Sequence, residues 1–499
     1  MSEDILAKIV RMRKADIERL GLNFGIEIPE KRRVGHTEFL GNAGAILEVK
    51  RASPSKGDIA PDLDPVGLAT TYAEAHAQAV SVLTEGNFFK GSLCDLIAVA
   101  DLMEKRRQQG LHACAVLRKD FLLYEDEIDI AYRCGADAVL LIARILDDEQ
   151  LVRMAKRAQS FDMQAFVEVR EKDDFRKLSV VTSALGADAA KTIVAGVNSR
   201  DLATFRTDPL VPASVRSKLP AKAVFESGIL SAGDAAYARS LGFTGILVGE
   251  AVAKNPPLAK EVVAAFERGR ENACGKFWKK LAERRATRRP LVKICGITRV
   301  EDGMLAAELG ADMLGFVFST TKRLTTEEFV RSFKERLLRS ARNDKSETPI
   351  LVGVITDPNS EEGKTAIKLA REGVLDAVQF HGIAPSDAYI DLAHYCAARI
   401  GSPEDFRTVA DLRTHGEPRI LLDAKVEGIP GGTGKTIPES LLREKAGDIP
   451  LWLAGGITPE NVTAICEKFR PELIDVSSGV EDAPGIKNSE KLQKLFAAL

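Results

Sequence analysis

Glu48 and Lys50 stand two residues apart at the end of an apolar run, Ala45-Ile46-Leu47. In a strand, that spacing sets both side chains on one face. Opposite charges carried to a strand end are costly unless they meet a partner or a substrate. Ser53-Pro54-Ser55-Lys56-Gly57 follows, with hydroxyls, free N–H groups and a cation, the materials of an anion site. Polar groups end later apolar runs too: Glu85, Lys119 with Asp120, Glu168, Asn198 with Arg200, and Glu226 with Ser227. A single one of these reads as a cap or a loop salt bridge. The same ending on run after run predicts a catalytic mouth.

The elements that must position these residues show as a rhythm. β-rich runs at Ala45–Val49, Ala79–Thr84, Ala113–Arg118, Ala138–Ile142, Gln164–Val169, Ile193–Asn198, Lys222–Glu226 and Gly245–Gly249 alternate with helical stretches. That alternation predicts an α/β fold, a parallel sheet closed into a (β/α)8 TIM barrel of about 250 residues, whose strand C-termini converge on one face. An open doubly wound sheet would want a G-x-G-x-x-G turn after an early strand, and the sequence has none. Ile5–Leu20 reads as an amphipathic helix outside the repeat, an extra N-terminal element. A second series follows: Leu291–Cys295, Met313–Val317, Ile350–Ile355, Ala377–Phe380, a weak fifth run near Ala397–Ile400, Pro418–Asp423, Leu451–Ala454 and Leu473–Val476. Two tandem TIM barrels are expected, residues 1–269 and 290–499. Between them, 270–289 is a basic stretch read as a solvated helical linker, since no aromatic platform marks it for nucleic acid.

Bulk properties bound the function. A chain of 499 residues is too long for one core. A net charge of −2 gives no global field to gather nucleic acid. Apolar runs are too short for a bilayer, and Met1-Ser2-Glu3-Asp4 lacks a signal-peptide core, so a cytoplasmic protein is expected. The seven cysteines include no Cys-x-x-Cys pair, and neither they nor the histidines suggest a metal site.

Glycine-rich loops follow the seventh and eighth strands of both halves: Ser227-Gly228 and Gly249 in the first, Gly455-Gly456 and Ser477-Ser478-Gly479 in the second. Loops at these places commonly hold phosphate in this fold, so phosphorylated small-molecule substrates are expected for both halves. Gly431-Gly432-Thr433-Gly434-Lys435-Thr436 imitates a P-loop, but Ile429 stands where the Walker spacing needs glycine. It reads as a mobile cover over the second site.

These residues resemble two known families. Through Glu48–Gly57, Leu83–Glu85 with Phe89 and Gly91-Ser92, Leu117–Phe121, Val167–Val169, Gly196–Leu202 and Glu226–Ile229, the first half resembles indole-3-glycerol-phosphate synthase. Through Lys293–Thr298, Arg323, Val378–Gly382, Leu422-Asp423, Gly431–Thr436, Leu453–Ile457 and Asp475–Glu481, the second resembles phosphoribosylanthranilate isomerase. The resemblance implies a bifunctional enzyme of tryptophan biosynthesis whose second half makes the first half's substrate. In the first half it implies Lys119 as general acid, Glu168 as general base and Lys50 as the cation on the substrate carboxylate, with Glu48 beside them. Asn198 and Glu226 would hold hydroxyls, Phe89 and Phe121 the aromatic ring, and Ser53, Ser227, Gly228 and Gly249 the phosphate end. Lys50, Lys119 and Arg200 are expected to crowd one another and so lower the pKa of Lys119. In the second half the resemblance implies Asp423 as acid and Cys295 as base. Arg323 would bind the anthranilate carboxylate, and Gln379, His381, Gly455, Gly456, Ser477 and Ser478 would complete the substrate site. Asp423 would need a pKa raised by burial, and Cys295 one lowered by cations or dipoles. No metal or organic cofactor, no nucleic acid and no membrane partner is implied, and a monomer is expected. The alternative is one active barrel fused to a degenerate scaffold, which would have lost its strand-end charges.

Overall fold

The computed structural model describes residues 5–201, 204–285, 290–344, 347–389, 391–425, 436–445 and 450–499. The chain divides into two compact units, Met1–Glu271 and Asn272–Leu499.

In the first unit the strands are β1 (Gly44–Val49), β2 (Ala79–Leu83), β3 (Ala115–Lys119), β4 (Ala138–Ile142), β5 (Gln164–Val169), β6 (Ile193–Asn198), β7 (Ala223–Glu226) and β8 (Gly245–Val248). Each pairs in parallel with its chain neighbours, and β8 returns to β1, closing the barrel. Strand side chains alternate, so every second residue points inward. The inward set packs Ile46, Leu117, Phe166 and Val224 in one core with Phe39 and Leu40, which precede β1. The backbone N–H of Leu40 donates to Gln164 Oε1 at 2.8 Å, tying that plug to the start of β5. Two residues on, about 7 Å further up each strand, the same inward positions carry Glu48, Lys119, Glu168 and Glu226. One pleat thus separates a dry plug from a charged mouth.

The second unit repeats the architecture with β9 (Leu291–Cys295), β10 (Met313–Val317), β11 (Ile350–Ile355), β12 (Ala377–His381), β13 (His394–Ile400), β14 (Ile420–Ala424), β15 (Trp452–Ala454) and β16 (Leu473–Val476), closed by β16 on β9. The fifth strand is longer than the sequence suggested. It starts at His394, and its Ala397-Ala398-Arg399 stretch lacks the β-branched residues that would advertise it.

The basic stretch also departs from its reading as a solvated linker. Ala273–Arg284 is a helix whose Phe277, Trp278 and Leu281 are buried. Trp278 lies 5.9 Å from Trp452, and Phe277 stacks 6.1 Å from Tyr395, near the N-terminal ends of β15 and β13. The lysines and arginines occupy the other face of an amphipathic helix that plugs the second barrel. Gly431–Lys435, read as a cover, lies outside the described residues.

Candidate functional site

In the first barrel, Glu48, Lys50, Ser53, Phe89, Lys119, Phe121, Glu168, Asn198, Arg200, Ser227, Gly228 and Gly249 line one cleft at the strand C-termini. Glu226 sits just beneath, buried, with its carboxylate 3.8 Å from Lys119 Nζ. Glu48 bridges the two lysines, at 3.0 Å from Lys50 and 3.1 Å from Lys119. Pairing registers explain the gathering: Glu168 lies opposite Gly196, and Asn198 opposite Glu226. A Cβ on Gly196 would come within 2.2 Å of Glu226, and one on Gly249 within 2.5 Å of Glu48, so those glycines make room for the carboxylates. Asn198 Nδ2 donates to Glu168 at 3.4 Å. Phe89 and Phe121 face each other at 6.0 Å, with Lys50 Nζ 5.5 Å above the Phe89 ring. Ser227 and Gly228 both take positive φ, which turns the loop after β7 across the cleft.

The electrostatics reverse one expectation. Burial alone would lower the pKa of Lys119, but Glu48, Glu226 and Glu168 outweigh it and raise it above the ordinary lysine range. The crowding partners are carboxylates, not cations. Burial would likewise raise Glu48, yet Lys119 and Lys50 hold it at about 2. Glu226 carries the cost: burial first, then Glu168 and Glu48, push it well above the carboxylate range and favour its neutral form, against the opposing pull of Lys119.

Two strand-end residues serve structure instead. Glu85 accepts the backbone N–H groups of Asn87, Phe88 and Phe89, shaping the loop that presents Phe89. Asp120 is buried between Arg13 at 2.6 Å and Arg118 at 3.3 Å, and also accepts Thr84 and the Phe121 N–H. Arg13 comes from the Ile5–Leu20 helix, whose Ile5, Leu6 and Ile9 line the apolar side of the cleft. Nothing in the helix's own pattern separates these from ordinary core positions, so periodicity alone assigns them no role.

In the second barrel, Cys295, Arg323, Gln379, His381, Asp423, Gly455, Gly456, Ser477 and Ser478 line one cleft. A Cβ on Gly315, across from Cys295 on β10, would come within 2.7 Å of the sulfur. Below the thiol lies a buried polar chain in which sequence reasoning gave Gln379 a role but left Lys293, Asp475 and Tyr395 without one. Lys293 Nζ donates to Asp475 at 2.6 Å and to Gln379 at 2.7 Å, and the Tyr395 hydroxyl donates to Gln379 at 2.8 Å. Lys293 sits two residues before Cys295, and that inward parity is the signal that could have found it.

Asp423 is held at about 6, by burial first and then by Asp475. His381 Nε2 lies 3.4 Å from it; burial, then Lys293 and Arg399, lower His381 to about 4, so the ring is neutral near pH 7. Cys295 differs from expectation. Lys293 and Lys487 pull its pKa down, but burial outweighs them and the thiol lies above its ordinary value. Arg323 is gripped by Glu481, with Nη2 to Oε2 at 2.7 Å and Nε to Oε1 at 3.0 Å. Ser477 Oγ donates to the Cys295 carbonyl at 3.0 Å. The loops carrying Gly455-Gly456 and Ser478-Gly479 touch so closely that a Cβ on Gly479 would fall 1.9 Å from the Ile457 carbonyl oxygen.

A family model for indole-3-glycerol phosphate synthase matches residues 8–264, and one for N-(5'-phosphoribosyl)anthranilate isomerase matches 292–498. A tryptophan biosynthesis protein of Phytophthora nicotianae is 31% identical over 99% of this chain and 96% of its own length. A multifunctional tryptophan biosynthesis protein of Schizosaccharomyces pombe is 33% identical over 91% of this chain, which spans 59% of that protein. A tryptophan biosynthesis protein of Yersinia pestis is 30% identical over 91% of this chain and 84% of its own length. With both clefts built as above and both halves matched in order, the chain belongs to the indole-3-glycerol phosphate synthase family through its first barrel and to the phosphoribosylanthranilate isomerase family through its second.

Proposed function

We propose that the chain catalyses two consecutive steps of tryptophan biosynthesis. The second barrel isomerises N-(5-phosphoribosyl)anthranilate to carboxyphenylamino-deoxyribulose 5-phosphate. The first closes the indole ring on that product, releasing CO2 and water. The observation that carries the reading is the ammonium of Lys119, ringed by Glu48, Glu168 and Glu226 in a cleft that also holds an aromatic pair and a glycine-rich turn. Acid, base, ring platform and anion site meet in one place.

In ring closure the substrate carbonyl must gain a proton as the aromatic carbon attacks it. Glu48, 3.1 Å away, keeps Lys119 charged at neutral pH, so it supplies electrostatic stabilisation of the developing oxyanion and then the proton. Lys50, at the cleft wall over Phe89, holds the carboxylate that departs as CO2. Glu168, oriented by Asn198, removes the proton that completes dehydration. Neutral Glu226 donates a hydrogen bond to a substrate hydroxyl. Arg200 and Ser53 lie toward the phosphate end with Ser227, Gly228 and Gly249.

In the isomerase half, a carboxyl held at about 6 keeps roughly a tenth of molecules protonated at pH 7. Asp423 in that form donates to the ring oxygen as the ribosylamine opens. Opening leaves a cationic imine, which favours the Cys295 thiolate beside it, and sulfur takes the C2 proton. Arg323 faces the anthranilate carboxylate, a match for its planar fork. Gly455, Gly456, Ser477 and Ser478 cradle phosphate, while Gln379 and His381 contact the sugar.

Both activities should be assayed on one preparation of Lys119→Ala. Ring closure should fall by about 10²–10⁴-fold, the usual worth of a general acid, with isomerase turnover intact. Near-native ring closure would refute the assignment. The same proposal takes the enzyme as a cytoplasmic monomer, to be tested by light scattering and fractionation. Among the described residues, no helix is long and apolar enough to cross a membrane.

A further inference from the structure

Beside Cys295, at the seam where the last strand of the second barrel meets the first, an ammonium is buried that none of the steps above uses. The Lys487 side chain is 0% exposed. It lies on a short hairpin, Glu481–Ala483 with Ile486–Lys487, that follows β16. Its Nζ donates to the Cys295 carbonyl at 2.5 Å, the Ser477 carbonyl at 3.2 Å and Glu481 Oε1 at 2.8 Å. Those bonds use all three of its donors. The two carbonyls belong to the end of β9 and to the residue just past β16, so one cation spans the seam at the catalytic rim.

The network continues from there to the substrate side. Glu481 also accepts the Gly485 N–H at 3.1 Å and holds Arg323 at two points. The Lys487 N–H is fixed by Asp302 at 2.9 Å. Gly296, directly after Cys295, has φ +80°, and a Cβ there would come within 2.7 Å of Arg323 Cδ. Arg323 therefore returns to the backbone of the residue next to the thiol. A buried ion pair is a weak way to gain stability, since apolar side chains of equal volume commonly do as well. Its geometry here points instead to the two groups it joins.

We propose that Lys487 and Glu481 are a positioning pair for the isomerase, fixing the Cys295 backbone and the Arg323 guanidinium in one register and placing a positive charge behind the thiol. This rests on the reading of Cys295 as proton acceptor. Charged and titratable groups facing the thiol are Lys293, Asp475 and Tyr395 from the barrel interior, and Lys487 and Arg323 from the rim. Among them Lys487 is joined to the Cys295 main chain, the Ser477 main chain and, through Glu481, Arg323.

The test uses the full chain carrying Lys487→Met or Glu481→Gln, with ring closure by the first barrel as the internal control. Alkylation of Cys295 by iodoacetamide is followed against pH by peptide mass spectrometry, alongside isomerase kcat and KM. For Lys487→Met the alkylation midpoint should rise by about one unit or more, as expected on losing a nearby cation, with kcat down at least tenfold and the basic limb of the rate profile moving with the thiol. For Glu481→Gln, KM should rise at least fivefold, because Arg323 loses its anchor. A folded Lys487→Met enzyme with thiol midpoint and kcat within twofold of the parent overturns the proposal. If Lys487→Met does not fold, Glu481→Gln decides, and unchanged KM and thiol reactivity there overturn it equally. Turnover retained by Cys295→Ser sinks the proton-acceptor reading instead, while the alkylation midpoint still reports whether Lys487 acts on the sulfur.

Discussion

Replacing Glu48 with Gln should move the ionisation of Lys119 into the range where ring closure can be watched to titrate. Glu48 lies 3.1 Å from the Lys119 ammonium, in a site where the two side chains are 2% and 17% exposed. A unit charge at that distance contributes about 5 kcal/mol at an effective dielectric constant of about 20. Relaxation and water entry will take part of that, leaving a fall of about two to three pKa units at 1.36 kcal/mol per unit. Glu168 remains, and Glu226 contributes little while neutral. The raised pKa of Lys119 should then drop toward or below that of an ordinary lysine. The assay is the pH profile of ring-closing kcat/KM, read by indole fluorescence between pH 6 and 10. The parent should show no basic limb from Lys119 in that range, and Glu48→Gln should show one whatever its lowered maximum. Absence of a basic limb in the folded variant, as in the parent, would mean that Glu48 does not hold the proton on Lys119, and the electrostatic account of this cleft would fail.

Cys295→Ser should cut isomerase turnover by about 10²-fold or more, as for loss of a general base, while a reduced product analogue still binds in calorimetry and ring closure is unaffected. Asp423→Asn should make the second barrel more stable at pH 7 while removing its activity. A folded-state pKa of about 6 against 3.8 unfolded gives stability that is full below pH 3.8 and lost as pH rises through 6, by about 3 kcal/mol. Urea unfolding of parent and variant at pH 4 and pH 7 checks the sign: the variant's advantage should appear only at the higher pH. Trp278→Ala should cost the second barrel about 3–5 kcal/mol, lowering the midpoint of isomerase heat inactivation and leaving ring closure at its original midpoint.

What the sequence determined by itself is a matter of period and parity. A strand has a strict two-residue alternation, so Glu48 with Lys50, or Glu168 at the end of Gln164–Val169, declares its face without any tertiary information. Closure into a barrel then brings every such strand end to one rim, and glycine turns stand at matching places in both halves. The helix Ala273–Arg284 was misread because its basic residues dominate the composition, while its burial depends on Tyr395 and Trp452, more than a hundred residues away in sequence. Charge balance was decided the same way. Which groups surround Lys119 follows from closure of the barrel, which brings Glu48 from β1, Glu168 from β5 and Glu226 from β7 beside it, where crowding by two cations, Lys50 and Arg200, had been expected. Asp120 and Glu85 share the strand-end position of the proposed catalytic groups, yet neighbours from remote segments and the local loop turned them into supports. Lys487 stands in a hairpin with no motif around it, and only the return of the last strand to the first sets it behind Cys295. Sequence specifies each strand's own face because alternation is local; which side chains meet across the mouth, and hence where protons sit, depends on contacts formed only when the ring of strands closes.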